Sequence, residues 1–198
     1  MAAERPKLTA YERAQGWRLL FDGADATAWR GYRAEKLPSN WQVRDGALVG
    51  AAGAGVVSAE EFADFELTFD WRVASGGRGE VWVRASEDGD SPDAAGPKML
   101  LSGHGDTLGG NGLGEPDRRI VPQFDVWYRS KILVFGNVVE HWINGERVLS
   151  YAIDSAEWRR QRATAGVAAS RKWVAPVAGR IGLAGEGVEF RAIKVRPF

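Results

Sequence analysis

Phe65-Glu66-Leu67-Thr68-Phe69-Asp70-Trp71-Arg72-Val73 alternates five apolar with four polar residues without a break. A helix advances roughly 100° per residue and would spread that pattern around its circumference, whereas a strand sets successive side chains on opposite sides. The run therefore reads as a strand with one apolar and one wet face. A strand of this kind cannot bury its apolar face alone, so the chain must supply more strands and a second layer to cover them.

The rest of the sequence supplies them. Trp17 to Phe21 reads as a strand closed by Asp22-Gly23, and Asp45-Gly46 joins Trp41–Arg44 to Ala47–Gly50 as a two-residue hairpin. Glu80-Val81-Trp82-Val83-Arg84 places Val81 and Val83 on one side and Glu80, Trp82 and Arg84 on the other. Lys131 to Phe135, Val138 to Ile143 and Glu146 to Tyr151 form a meander turning at Gly136-Asn137 and Asn144-Gly145. Arg180 to Ala184 and Val188 to Val195 read as two closing strands. Helix is scarce: Thr9-Ala10-Tyr11-Glu12 matches a capping box for a short helix stopping at Gly16, and Asp154 or Ser155 can cap another through Arg162. The fold expected is all-β, a two-sheet antiparallel jelly-roll sandwich with short peripheral helices. At 198 residues it forms one domain over residues 8–198, behind a flexible N-terminal segment of residues 1–7.

Charge and composition narrow the function. Lys plus Arg and Asp plus Glu each count 26, so no net basic field gathers phosphate backbones, and nucleic acid is not an expected partner. No apolar run approaches the ~18–20 residues of a membrane helix. Cysteine is absent, which removes disulfides, thiolate metal sites and Cys nucleophiles. Residues 1–7 contain no apolar core of a secretion signal, leaving open a cytoplasmic protein or one whose leader was removed. Glycine, at 25 residues about twice average usage, and 9 Trp suit a turn-rich β domain that stacks on sugars.

The segment Ser86–Asp117 stands apart, rich in Gly, Asp and Pro, with only Met99–Leu101 resembling a strand. A loop this long is expected to be functional, a lid with Lys98 on a short strand at its base and His104–Asn111 mobile without ligand. Its Gly-rich run lacks the Gly-Lys-Ser/Thr ending of a phosphate loop. His104 with Asp106 offers two candidate metal ligands, a weak set.

Several motifs occur in a fixed order: Leu8-Thr9 through Gly16-Trp17, Leu20-Phe21-Asp22-Gly23, Trp29-Arg30-Gly31-Tyr32, Trp41-x-Val43-x-Asp45-Gly46-x-Leu48-Val49, Phe65-Glu66-Leu67, Trp71-Arg72, and Val139-Glu140-His141-Trp142-x-Asn144-Gly145. Together they resemble the 3-keto-disaccharide hydrolase family across nearly the whole chain. The resemblance implies a concanavalin-like jelly roll whose concave face handles sugars oxidised at C3, acting as a 3-keto-glycoside lyase and hydratase, with a periplasmic or secreted location. It also implies a noncatalytic carbohydrate-binding jelly roll as the alternative, because the chain departs from the family pattern. Gly96-Pro97 is kept, but Lys98 stands where Glu is expected, Leu100 where Gln is expected, Ser102-Gly103 near an Asp-Asn pair, and Trp127-Tyr128 in place of Trp-Asn.

Cleavage of a 3-keto-glycoside asks for definite groups. The C3 ketone acidifies the C2 proton; a base removes it, the C1 substituent leaves by β-elimination, and water adds back. The base and proton donor can be Glu, Asp or His, and the oxyanion can be held by Arg, Lys or a divalent cation; no other cofactor is indicated. The candidates are Glu66, Asp70, Arg84 and His141 for catalysis, and Glu80, Trp82, Lys98, His104, Trp127 and Tyr128 for substrate binding. Arg84 either binds an enolate or sugar hydroxyl or pairs with Glu66 or Asp70 across the sheet. His141 alternates with apolar Val139 and Ile143, which equally suits a hydrogen-bonded core histidine. Glu66 and Asp70 lie roughly 13 Å apart along one strand face, too far to act as a pair without a partner strand. Trp82 stacks on a ligand or is covered by a loop, and Trp17, Trp41, Trp71 and Trp142 are expected in the core.

Overall fold

The computed structural model describes residues 5–53, 55–88, 96–102, 120–164 and 177–198. The strands are β1 (Arg18–Phe21), β2 (Trp29–Gly31), β3 (Trp41–Arg44), β4 (Ala47–Gly50), β5 (Val56–Phe62), β6 (Phe65–Ala85), β7 (Lys98–Ser102), β8 (Tyr128–Phe135), β9 (Val138–Ile143), β10 (Glu146–Ala152) and β11 (Gly179–Pro197). Two helices, α1 (Ala10–Ala14) and α2 (Ala156–Thr164), complete the described elements. Every strand pair is antiparallel, as the hairpin turns require.

The local signals act as their chemistry dictates. Thr9 and Glu12 close a reciprocal capping box, Thr9 N donating to Glu12 Oε2 at 2.7 Å and Glu12 N to Thr9 Oγ1 at 3.1 Å. Asp45 and Gly46 take φ of 51° and 78°, and Asn144 and Gly145 take 48° and 84°, the left-handed pairs that a two-residue hairpin demands. Ser155 Oγ accepts from Trp158 N at 3.1 Å and starts α2.

One expectation is corrected at the centre of the fold. The runs expected as separate strands, 65–73 with 80–84 and 180–184 with 188–195, are two long strands of 21 and 19 residues, paired from Phe65↔Pro197 to Ala85↔Arg180. The reason is close backbone approach at glycines. A Cβ on Gly77 would lie 2.6 Å from the Gly187 carbonyl, and one on Gly185, whose φ is 145°, would lie 2.4 Å from the Arg78 carbonyl. Glycine there lets the ladder bend and slip register between Glu186 and Val188 without breaking.

This long-range antiparallel pair serves both layers. Its first half on β6 pairs with β8, which continues to β9 and β10; its second half pairs with β7; β11 carries β1, β4 and β5 along its other edge. Phe65, Leu67, Phe69, Trp71 and Val73 from one half and Val81 and Val83 from the other enter one core with Ile132, Val134, Met99 and Leu101. Positions 65, 67, 69, 71 and 73 and then 81 and 83 of β6 thus face inward. Of the even-numbered ones, Glu66 to Arg72 line the other side of the first layer, and Glu80, Trp82 and Arg84 the other side of the second, where Trp82 and Arg84 are themselves buried.

Candidate functional site

The second-layer face gathers three of the expected residues, Glu80, Trp82 and Lys98. β7 lies against β6 with Lys98 opposite Trp82 and Leu100 opposite Glu80, so Lys98 reaches Glu80 diagonally across the ladder. Its Nζ donates to both Glu80 oxygens at 2.9 Å, and Trp82 Nε1 donates to Glu80 Oε2 at 3.0 Å. The ammonium and carboxylate side chains are only 8% and 14% exposed, so the pair is drawn tightly together in a poorly solvated setting. Glu80 thus sets a carboxylate on the strand beside Lys98. The indole of Trp82 lies over Gly182 of β11 and Gly55, where Cβ atoms would meet its ring at 2.2 and 2.7 Å, and Trp82 is 1% exposed.

Arg84 is corrected in two respects. It is buried rather than on a wet face, and its partners are neither Glu66 nor Asp70: Nε donates to the Ala63 carbonyl at 2.8 Å and Nη2 to Asp64 Oδ1 at 2.7 Å. The residue takes a φ of 48°, which swings the side chain back toward the β5–β6 turn. Asp64 Oδ1 also accepts from Gly136 N at 2.9 Å, so Arg84 braces that turn against the β8–β9 turn.

Other candidates fall elsewhere. Glu66 faces outward from the first layer and is bound by Arg196 at 2.6 Å, with Lys131 at 3.9 Å. Asp70, on the same face, accepts from Arg129 Nε at 2.8 Å and Nη2 at 3.3 Å and from Arg191 Nε at 3.4 Å. Trp127 stacks beneath Arg191, whose guanidinium carbon is 3.8 Å from the ring centre, and Arg72 at 4.9 Å. Tyr128 packs on Trp71 at 5.3 Å between ring centres, and its hydroxyl accepts from Gln123 N. His141 faces the core rather than either polar surface. It is fully buried against Tyr151, with Nε2 3.4 Å from the Tyr151 hydroxyl, and Nδ1 has no partner among the described residues. Burial holds its pKa down from 6.5 to about 3, so the ring is neutral. Trp41 and Trp71 are core, whereas Trp17 and Trp142 stand half-buried, Trp142 beneath Lys131 Nζ at 4.1 Å. His104 and most of the expected lid lie outside the described residues. No group of three or more His, Asp or Glu able to hold a metal occurs among the described residues.

The start of that loop has an anchor the sequence did not disclose. Glu87 accepts from Arg30 Nη1 at 2.8 Å, from Arg33 N at 2.6 Å and from Arg180 Nε at 2.9 Å, and Arg30 Nη2 also binds it. The Arg30 hydrogen bonds lead in holding its carboxyl down from 4.5 to about 2. Arginines 57 residues before and 93 residues after a glutamate carry no local pattern that could have identified them.

Two antiparallel layers on a shared β6–β11 ladder, with a strand face carrying carboxylate, ammonium and indole, define a concanavalin-like jelly-roll sandwich. A Bacillus licheniformis beta-glucanase shares the fold at a TM-score of 0.55, 7% identity and coverage of 92% of this chain and 97% of that one. The chain belongs to the 3-keto-alpha-glucoside-1,2-lyase-like domain family, which matches residues 16–196. A 3-keto-disaccharide hydrolase from Bacteroides thetaiotaomicron is 29% identical over 190 residues, covering 79% of this chain; the chain spans 66% of that relative's length. A candidate glycosyl hydrolase from Parabacteroides distasonis superposes at a TM-score of 0.87 with 24% identity, covering 98% of this chain and 99% of the other.

Proposed function

We propose that this domain cleaves the glycosidic bond of 3-keto-glycosides by elimination and hydration, using the second-layer face. The observation that carries the reading is Glu80 held between Lys98 Nζ and Trp82 Nε1, within a chain whose family match runs nearly end to end. Glu80 acts as the base toward the C2 proton. Lys98 moves its ammonium from the carboxylate to the developing C3 oxyanion, a charge-assisted contact that strengthens as the enolate forms. Trp82, fixed by Gly182 and Gly55, holds the carboxylate in place through its indole N–H.

The second reading, a noncatalytic carbohydrate-binding domain, is favoured by one feature: both Glu80 oxygens are already engaged by Lys98. Incubation with a 3-keto-disaccharide, following loss of the glycosidic bond, separates the two. Turnover is expected with the keto sugar and not with its unoxidised parent. Glu80→Gln should lower kcat by about 10² to 10⁴, the usual contribution of a positioned base. Saturable binding without turnover would establish the binding reading, and neither binding nor turnover would overturn both.

A further inference from the structure

The outer face of the first layer carries a cleft that the reading above does not use. Where β11 crosses β6, Arg191 pairs with Asp70 and Lys194 with Thr68, so three steps on one strand oppose two on the other. Residues three apart on a regular strand face opposite sides. Here a bulge, with Ala192 at a φ of 50°, turns both cations outward while Ile193 stays in the core. A non-glycine residue in the left-handed region is strained, and such strain gathers at functional positions.

The cleft above this bulge has a volume of about 610 Å³ and is lined by Trp17, Thr68, Asp70, Arg129, Arg191 and Lys194, among others. Five cationic side chains border it against three carboxylates. Asp70 is used as a brace: it engages Nε and Nη2 of Arg129 and Nε of Arg191, which orients both guanidiniums and leaves N–H donors on each for another acceptor. The Arg129 side chain is 72% exposed, so a ligand reaches it directly. Trp127 stacked on Arg191 fixes the plane of the second fork.

The geometry points to a binding site for a carboxylated saccharide, a uronic-acid sugar. The paired guanidiniums match a planar carboxylate, the Thr68 hydroxyl and the Asp70 oxygens suit ring hydroxyls, and the volume is that of a small-molecule pocket, far beyond a single inorganic anion. The saccharide part rests on the carbohydrate reading proposed above; the anion part rests on the cleft alone.

Calorimetric titration of the whole chain at low salt with glucuronate, glucose and inorganic phosphate tests it. Glucuronate is expected to bind saturably, with affinity reduced at least about tenfold by Arg129→Ala, by Arg191→Gln and by added salt. Glucose should not bind at the cleft, and glucuronate binding should persist in Glu80→Gln. Retained melting temperature in Arg129→Ala, a surface substitution, separates lost binding from lost folding. Absence of saturable binding, glucose binding as well as glucuronate, phosphate binding as tightly, or an Arg129→Ala variant with undiminished affinity would each overturn the assignment. Glucuronate binding without 3-keto-glycoside turnover would sink the catalytic reading while leaving this one standing.

Discussion

His141 shows how one residue type can serve opposite ends depending on its side of a strand. Glu140 and Trp142 flank it and face outward, whereas the imidazole enters the core beside Tyr151. A buried base with its pKa held near 3 must stay neutral to stay folded. The unfolded chain binds the proton near pH 6.5, so folding stability falls as pH drops from 6.5 toward 3, by up to about 1.4 kcal/mol per pH unit for this one group. The carboxyls held below their usual range lose their contribution only beneath about pH 4.5. Denaturant titrations between pH 6.5 and 4.5 should therefore show a slope that His141→Leu flattens, with a loss at pH 7 of about 1–3 kcal/mol because the buried Tyr151 hydroxyl loses its partner. An unchanged slope would mean that the histidine is accessible in the native state. The alternation with Val139 and Ile143 pointed to the core; the histidine's chemistry pointed to a site, and the apolar face prevailed.

At the scale of elements, the second-layer face depends on how close β6, β7 and β11 approach. Trp82 lies flat because Gly182, directly opposite it on β11, has no Cβ. Gly182→Ala would place a methyl 2.2 Å from the Trp82 ring and must displace it, at a cost of about 1–3 kcal/mol. In a chain of this length that corresponds to a fall in melting temperature of roughly 2–10 °C. The same variant should lose activity beyond its loss of stability, since the displaced indole releases Glu80. An unchanged melting temperature with an unchanged tryptophan spectrum would show that the ring has room to move. These strands were largely legible in the sequence, by period two and by the Asp45-Gly46 and Asn144-Gly145 turns. The union of 65–73 with 80–84 was not, because Ala74 to Gly79 carries no alternation: residues 74–77 bulge out of the ladder, Gly76 at a φ of 78°, before pairing resumes at Arg78↔Glu186.

Across the whole molecule, Glu87 ties β2, β11 and the start of the 86–117 segment together. Its carboxyl, held near 2 rather than 4.5, couples about 3 kcal/mol of folding free energy to its ionisation. That stability is present above about pH 4.5 and is lost as pH falls toward 2. Glu87→Gln should lower stability at neutral pH and flatten the acid limb between pH 4.5 and 2, as read by denaturant midpoints; an acid limb identical to the unmodified chain would show that the carboxylate is not coupled to folding. The alternation at 65–73 and the Asp-Gly and Asn-Gly turns between period-two runs were enough to determine an all-β sandwich, because each acts over a few residues. Tertiary structure alone decided which charges meet: Arg84 with Asp64 rather than Glu66, Glu80 with Lys98, Asp70 with Arg129 and Arg191, and Glu87 with Arg30 and Arg180. A carboxylate finds its cation by distance in space, and strand pairing brings together residues as far apart in sequence as Arg18 and Val195, while a single bulge at Ala192 reverses the face on which the following side chains emerge.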